Sequence, residues 1–130
     1  MYATQLLEVG QLQTRSVPDP TPASGEIVVE IEAAGICGTD RHLFKGEFPS
    51  TPGKTLGHEF SGLVVDAGDT GFTLGSRVTV DPNIWCGTCD QCRRGRVNLC
   101  ANNIAIGIGR DGGFAPYCAV PARQAHILPL

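Results

Sequence analysis

The sequence predicts a mainly β protein, built as a small barrel or sandwich with long loops and little helix. Glycine and proline are abundant, at 17 and 9 of 130 residues, and only 18% of the residues are charged. This composition favours short strands joined by turns over a helical bundle. Apolar and charged residues also alternate, as they do in a half-buried strand. The length suits one domain with its own core, which we expect to span 1–130.

The alternation is clearest over residues 27–34. Ile27, Val29 and Ile31 alternate there with Val28 and two glutamates, which predicts a strand with one face in the core. Shorter apolar runs and turn residues predict a hairpin around Gly10 from 2–9 and 13–17, further strands at 60–67, 77–80 and 114–120, and an extended segment at 126–130.

A short helix is predicted after the 27–34 strand. Gly35 ends that strand, and the helix is expected over 41–45 with Thr39 or Asp40 as its N-cap. The following residues, 46–54, contain two glycines and two prolines, so they are predicted to form a loop.

Two glycine-containing motifs resemble nucleotide-binding sequences, and we reject both. Gly53-Lys54-Thr55 lacks the glycine that a phosphate-binding loop needs five residues earlier, because that position is Phe48. Residues 107–112 spell the dinucleotide pattern GxGxxG. That pattern requires a helix after it and an acidic residue about twenty positions on, but a strand is predicted there and no acidic residue follows Asp111. We interpret it as a glycine turn and assign no cofactor-binding residue.

The net charge and the expected cellular compartment limit the classes of binding partner and the chemistry of the cysteines. A net charge of −3 and a pI near 5.5 argue against nucleic acid or an anionic membrane as a partner. No apolar stretch approaches the length of a membrane span. Residues 1–5 lack the features of a secretory signal, so we expect a cytoplasmic protein with reduced thiols. Its six cysteines are therefore interpreted as metal ligands before disulfides.

Four of these cysteines form the most specific pattern in the chain, at Cys86, Cys89, Cys92 and Cys100. Cysteines two residues apart can share a metal ion, and four thiolates fill a tetrahedral shell, as in a structural zinc site. An iron–sulfur cluster is the alternative. Bacterial ferredoxins close their cysteine run with a three-residue gap and a proline, whereas here the gap is seven residues and Ala101 follows.

A second possible metal site lies in residues 35–59, which contain Cys37, His58 and Glu59. Sulfur, nitrogen and oxygen are all zinc ligands, and a catalytic zinc needs only three of them plus an open position. Only tertiary folding would bring these residues together. Taken alone the pattern is weak, because a single cysteine or histidine is more often a core or surface residue. Cys118, in an apolar segment, is interpreted as a small buried hydrophobic residue.

Together, four segments resemble the N-terminal catalytic domain of the zinc-dependent medium-chain alcohol dehydrogenases. They are residues 35–40 (GICGTD), 57–59 (GHE), the four-cysteine loop and 111–115 (DGGFA). Within that family the chain is more similar to the branch acting on polyols, sorbitol or threonine than to the ethanol branch. The resemblance implies a GroES-like, partly open β-barrel with short helices and a zinc-binding lobe.

The resemblance also implies two zinc ions. Cys37 and His58 would hold a catalytic zinc, with Glu59 as a third ligand or as a close neighbour that exchanges with water. A structural zinc would be held by the four-cysteine loop. Asp40 matches a carboxylate that orients His58, as partners of metal-bound histidines generally do.

The implied reaction oxidises an alcohol, a polyol or sugar alcohol, to a ketone or aldehyde. Thr39 and His42 match a relay that carries the substrate proton outward, and a hydride passes to NAD(P). Family members continue into a nucleotide-binding domain, so we expect these 130 residues to be a fragment that is inactive alone. The full-length protein is expected to be a homo-oligomer, a dimer or tetramer. A non-catalytic zinc-stabilised GroES-like module for binding or oligomerisation stays open as the alternative; it would hold one zinc rather than two.

Overall fold

The computed structural model describes residues 1–129, and most of its elements there are strands. In chain order the strands are β1 (Tyr2–Glu8), β2 (Gln11–Ser16), β3 (Glu26–Gly35), β4 (Lys54–Thr55), β5 (Glu59–Asp66), β6 (Arg77–Val80), β7 (Asn83–Ile84), β8 (Ile104–Ala105), β9 (Tyr117–Pro121) and β10 (Ala125–Ile127). The helical elements are α1 (Gly38–Lys45), α2 (Asp90–Arg93) and the 3-10 turns Val97–Leu99 and Ala122–Gln124.

The main sheet has five antiparallel strands in the order β10-β6-β5-β3-β9. The pairing of β3 with β5 shifts register twice, between Val28 and Val29 and between Ile31 and Ala33. Such bulges bend a strand and increase its twist, so the sheet curls into a half-barrel. The hydrophobic core packs against this sheet. It consists of Ile27, Val29, Phe60, Val64, Val78, Val80, Ile106, Cys118, Val120 and Ala125. The prediction of a mainly β barrel-like fold is confirmed.

The predicted strands at 27–34, 60–67 and 77–80 correspond to β3, β5 and β6. The alternation in β3 holds only in part, because Val28 is buried along with Ile27 and Val29. The predicted hairpin around Gly10 is also confirmed, with β1 paired to β2. It belongs to a second sheet in the order β2-β1-β4, where Leu6 of β1 packs against Leu43 of α1.

The prediction for the α1 cap was wrong. The helix begins at Gly38, and Cys37 is its N-cap residue. Asp40 lies within the first turn and accepts a hydrogen bond from the Cys37 backbone N–H at 2.9 Å, the reach-back contact of a capping box. The helix ends at Lys45, and its C-cap residue Gly46 has a φ of 72°, the left-handed conformation that glycine adopts easily at this position.

The strand predicted at 114–120 is shorter than expected, since β9 begins only at Tyr117. The backbone of Phe114 is used elsewhere. Its N–H donates to the Leu56 carbonyl at 2.8 Å and its carbonyl accepts from Thr4 at 2.9 Å. Phe114 therefore links β1 to the segment before His58 instead of extending β9.

The two-residue strands β4, β7 and β8 and the short helix α2 were not predicted. Lys54 in β4 falls in the predicted loop 46–54, and β7 pairs with β8 across the base of the cysteine loop. At the end of the chain, β10 covers part of the predicted extended segment 126–130, whose last residue lies outside the described part. None of the helices in residues 1–129 has the length and apolar character needed to cross a bilayer.

Candidate functional site

The fold brings Cys37, His58 and Glu59 into one cluster, which we call the assembled site. One ligand atom of each lies within 4.8 Å of the others. Cys37 lies between β3 and α1, and Glu59 is the first residue of β5. Because β3 and β5 pair with Gly35 opposite Glu59, the sheet register sets the distance between the cysteine and the other two residues.

Gly35 leaves the space that the Glu59 carboxylate occupies. A Cβ at position 35 would lie 2.9 Å from Glu59 Oε2, closer than such atoms normally approach. Glu59 itself is exposed, whereas His58 is only 9% exposed. The site therefore combines a buried imidazole with a carboxylate that remains accessible to water.

Asp40 is buried beside this cluster, with 5% of its surface exposed. Its Oδ2 accepts the Cys37 N–H, and its Oδ1 lies 3.5 Å from His58 Nδ1. That separation is longer than a hydrogen bond, and neither of those two atoms has another partner within residues 1–129. With Nδ1 turned toward Asp40, Nε2 is the nitrogen that remains for a metal ion. The donor set of sulfur, nitrogen and oxygen suits zinc with an open coordination position.

Thr39 and His58 line a cavity of about 550 Å³ next to the assembled site. The Thr39 hydroxyl is also 3.7 Å from Cys37 Sγ. The other walls of this cavity, here called the site cavity, are Phe48, Pro82, Asn83, Asn103, Ile104, Ala105, Ile108 and Gly109. Glu59 lines a separate depression, which it shares with His58.

His42 lies on α1 with a largely exposed side chain. Its Nδ1 is 2.6 Å from Glu47 Oε2. The hydrogen bond with His42 lowers the pKa of the Glu47 carboxyl below its ordinary value. His42 is not among the described residues that line the site cavity, so it lies at the surface rather than at the cluster.

Three glycines pack backbone against backbone behind His58. A Cβ on Gly107 or Gly112 would lie 2.4 or 2.1 Å from the Gly57 carbonyl oxygen. Gly57 and Gly107 also have φ values of 89° and 76°, which disfavour other residues. The GxGxxG pattern of residues 107–112 thus forms a tight turn that packs directly against the residue before His58.

Cys86, Cys89, Cys92 and Cys100 form a second cluster, with their sulfurs within 4.8 Å of one another. We call residues 86–100 the cysteine lobe. It contains α2 and the turn Val97–Leu99. Backbone N–H groups point at its sulfurs: Thr88 and Cys89 donate to Cys86 Sγ at 3.5 and 3.4 Å, and Cys86 donates to Cys100 Sγ at 3.2 Å. Such donors stabilise thiolate charge.

The cysteines of the lobe differ in how readily they ionise. The hydrogen bond from the Thr88 backbone lowers the pKa of Cys86 to about 5. Loss of surrounding water raises the pKa of Cys92 to about 12. Because thiolates are the ligating form, a metal ion bound by the four cysteines displaces the protons that they carry. Four convergent sulfurs with N–H donors match a closed tetrahedral zinc site.

The sequence analysis named Asp40 as a partner of His58 but missed the other features that support the assembled site. Gly35 was seen as a strand end, and the bond from Cys37 to Asp40 was not foreseen. The cavity residues Phe48, Asn103 and Ile108 come from segments distant in sequence from Cys37. No local pattern marks them, because only the fold makes them neighbours.

Comparison with known proteins identifies the family. Residues 23–130 match the family described as "Alcohol dehydrogenase GroES-like domain". That match covers most of the chain, so the chain belongs to this family, the catalytic domain of zinc-dependent alcohol dehydrogenases. Its fold and the two cysteine-containing clusters agree with this assignment.

One curated relative is an L-threonine 3-dehydrogenase of Xanthomonas campestris pv. campestris. It is 42% identical over 119 residues, a match that covers 87% of this chain and 35% of the relative. The chain therefore spans about a third of the length of the curated relatives it matches.

Solved structures show the same similarity. A protein described as a zinc-binding dehydrogenase of Sinorhizobium meliloti, bound to NADP, has 56% identity and a TM-score of 0.96, with 99% of this chain and 38% of that chain covered. Galactitol-1-phosphate dehydrogenase of Escherichia coli has 31% identity and a TM-score of 0.92, with 99% and 38% covered.

Proposed function

We propose that the chain supplies the zinc-binding catalytic part of an NAD(P)-linked dehydrogenase that oxidises a polyol or sugar alcohol to a ketone or aldehyde. The observation that carries the proposal is the assembled site. Cys37, His58 and Glu59 offer three zinc ligands within 4.8 Å of one another, and the site cavity adjoins them through His58. Three protein ligands and an open position are the arrangement of a catalytic rather than a structural zinc.

In this proposal each residue near the metal has one role. Zinc held there supplies Lewis acidity, which lowers the pKa of an alcohol hydroxyl. Asp40 keeps His58 in the orientation that presents Nε2, as its position 3.5 Å from Nδ1 suggests. Thr39 accepts a hydrogen bond from the substrate hydroxyl; as it takes that proton it gives up its own hydroxyl proton, and His42, further out on α1, releases one proton to solvent. His42 is suited to release because its side chain is 62% exposed.

The cysteine lobe is proposed to hold the second, structural zinc. Its four sulfurs fill a tetrahedral shell and leave no position for substrate. Zinc there would stabilise the folded lobe. Without a metal ion to balance their charge, four thiolates this close would repel one another. The hydride acceptor is NAD or NADP, in line with the NADP-bound neighbour. The homo-oligomeric state and the cytoplasmic location stay predictions.

The preference for a polyol rests on the walls of the site cavity. The side chains of Asn83 and Asn103 lie there, hydrogen-bonded to each other at 3.3 Å. Amide groups and the Thr39 hydroxyl can donate to and accept from several hydroxyls. Phe48 and Ile108 leave an apolar surface for the carbon chain. A single short alcohol would use few of these groups, whereas a polyol or threonine would use more.

Cobalt in place of zinc tests this proposal on the chain as it stands, because the cobalt absorption spectrum changes when a ligand enters an open position. We expect sorbitol, galactitol or L-threonine to change the spectrum at lower concentration than ethanol does. Thr39→Val should weaken the polyol response about tenfold, and Cys37→Ser should abolish it. Equal responses to ethanol and to the polyols would contradict the substrate class. No response to any alcohol would contradict the catalytic role.

A further inference from the structure

Arg123 binds both the ring and the backbone of Trp85, the only tryptophan of the chain. The guanidinium carbon lies 4.5 Å from the centroid of the indole ring, within the range of a cation–π contact. The same guanidinium donates Nη2–H to the Trp85 carbonyl at 2.6 Å. Within residues 1–129 Arg123 has no acidic partner, so its charge is directed to the tryptophan. Trp85 immediately precedes Cys86, the first cysteine of the lobe.

The neighbouring Gln124 holds the residues just before Trp85. Its side chain is 2% exposed, and its Nε2 donates to the carbonyls of Asp81 and Asn83 at 3.0 and 2.8 Å. The backbone carbonyl of Gln124 accepts a hydrogen bond from the Asp81 N–H at 2.8 Å. A buried amide that uses both of its hydrogens fixes the backbone it binds. The turn Ala122–Gln124 therefore holds residues 81–85 along their length.

Residues 81–85 connect two regions. At one end, Trp85 adjoins the cysteine lobe. At the other, Pro82 and Asn83 line the site cavity that Thr39 and His58 also line. The pairing of β7 with β8 joins this segment to Ile104 and Ala105, which follow the lobe in the sequence. These two residues line the same cavity. Both chain segments that leave the lobe are thus walls of the site cavity.

We propose that Arg123 is a positioning residue that transmits metal loading of the cysteine lobe to the wall of the site cavity. Metal bound at Cys86 fixes the position of Trp85, and Arg123 holds that position against the barrel. Pro82 and Asn83 then keep their places beside His58. This inference rests on the proposal that the lobe holds zinc. Coupling of this kind can be carried by a continuous chain of contacts, which the Cys86–Trp85–Arg123 and Gln124–Asn83 contacts provide.

The test uses the chain with and without zinc and compares Arg123→Met and Arg123→Lys with Arg15→Met. Arg15 is an exposed arginine of β2 without a side-chain partner among the described residues, so it is a matched control. Emission from Trp85 reports the lobe side, and hydrogen exchange of the 81–85 amides reports the cavity side. Release of zinc to a chromogenic chelator measures the lobe metal.

In the wild type and in Arg15→Met we expect zinc to protect Trp85 from acrylamide quenching and to slow exchange of the 81–85 amides. In Arg123→Met both effects should be largely lost, and zinc release should be about three- to tenfold faster. Arg123→Lys keeps the charge without the planar fork, so it should lie between the two. Circular dichroism verifies that the sheet is retained in each variant.

Two results would overturn the inference. If Arg123→Met keeps the wild-type response of quenching and exchange to zinc, Arg123 transmits nothing, while the proposed zinc sites stand. If the wild-type lobe binds no zinc at all, the proposed structural zinc fails together with the inference, and the zinc content alone tells the two failures apart. Loss of the exchange response together with retained lobe zinc in Arg123→Met would support the inference.

Discussion

The cysteine lobe and the assembled site are both clusters of potential metal ligands, but they are built in opposite ways. The four sulfurs of the lobe all come from residues 86–100, and backbone N–H groups of the same segment point at them. Cys37 follows β3 and His58 precedes β5, and the pairing of β3 with β5 brings them together. The lobe is local, whereas the assembled site depends on the barrel.

This difference determines what each cluster needs. A local cluster can gain its shape from the metal, since binding and folding are coupled. An assembled cluster needs its geometry fixed beforehand by neighbours such as Asp40 and the glycines behind His58. Changes to the barrel should therefore affect the assembled site first, and changes to the cysteines should affect the lobe first.

The largest effect is expected from Cys92→Ser. Serine is a poor zinc ligand, so the lobe should lose its metal and its fixed structure, with a loss of at least ~3 kcal/mol in the unfolding free energy of the lobe. Zinc analysis should show one zinc fewer per chain, and NMR should show disorder confined to residues near 86–100. Cys118→Ala is the control, because Cys118 is buried in the main core and belongs to neither cluster. Retention of both zincs in Cys92→Ser would contradict the lobe assignment.

Gly112→Ala should disturb the assembled site from behind. The added Cβ would lie 2.1 Å from the Gly57 carbonyl oxygen, so the segment carrying His58 must move, at a cost of about 1–3 kcal/mol. Thermal unfolding and zinc content measure the two consequences, and we expect the zinc of the assembled site to be lost while the lobe keeps its own. Gly109→Ala is the matched change in the same turn, since the nearest atom to its Cβ would be in the Ile104 side chain, at 3.3 Å, and the Ala105 backbone would lie at 3.7 Å. Equal effects of the two variants would refute this explanation.

Asp40→Asn should weaken metal binding at the assembled site without unfolding the chain. The amide oxygen can still accept the Cys37 N–H that Asp40 accepts now, but the negative charge beside His58 is lost. Removal of such a partner typically lowers metal affinity about 10- to 100-fold. Competition with a chelator measures this affinity, and Glu8→Gln at the exposed end of β1 serves as the control. An unchanged affinity would show that Asp40 serves only the capping-box hydrogen bond to Cys37 at the start of α1.

The smallest effect concerns Cys118, which tests whether a cysteine outside both regions behaves as a core residue. It is 3% exposed, as predicted, and burial raises the pKa of its thiol from the ordinary 9.0 to about 12. Between these values the unfolded chain loses the proton and the folded chain keeps it. The contribution of Cys118 to stability is therefore complete below pH 9 and falls as the pH rises toward 12. Urea unfolding should show a shallower fall in Cys118→Ala than in the wild type, and identical slopes would argue against burial of the thiol.

The features predicted correctly from the sequence are those that depend on residues close together in the chain. The spacing of Cys86, Cys89, Cys92 and Cys100 predicted a cluster that the fold brings together, because short gaps in one loop already bring the sulfurs close. Alternation predicted β3, because a strand with one face in the core needs that pattern along its length.

The wrong predictions concern places where contacts between distant segments determine the local structure. Phe114 resembles a strand residue, yet Leu56 and Thr4 take its backbone hydrogen bonds. The cap of α1 was assigned to Thr39 or Asp40 because those residue types are common caps, but Cys37 occupies the position. Strands of two residues such as β4 and β7 exist only through their pairing partners, so no pattern within them predicts them.

The central claim is that the chain has two metal sites of different construction, and the zinc content of purified, zinc-saturated protein tests it most directly. Plasma mass spectrometry on the wild type and on Cys37→Ser, after removal of loosely bound metal, gives the number of zinc ions per chain. We predict two for the wild type and one for Cys37→Ser, with the remaining zinc in the cysteine lobe. One zinc in both proteins would contradict the account and would favour a zinc-stabilised module without a catalytic metal.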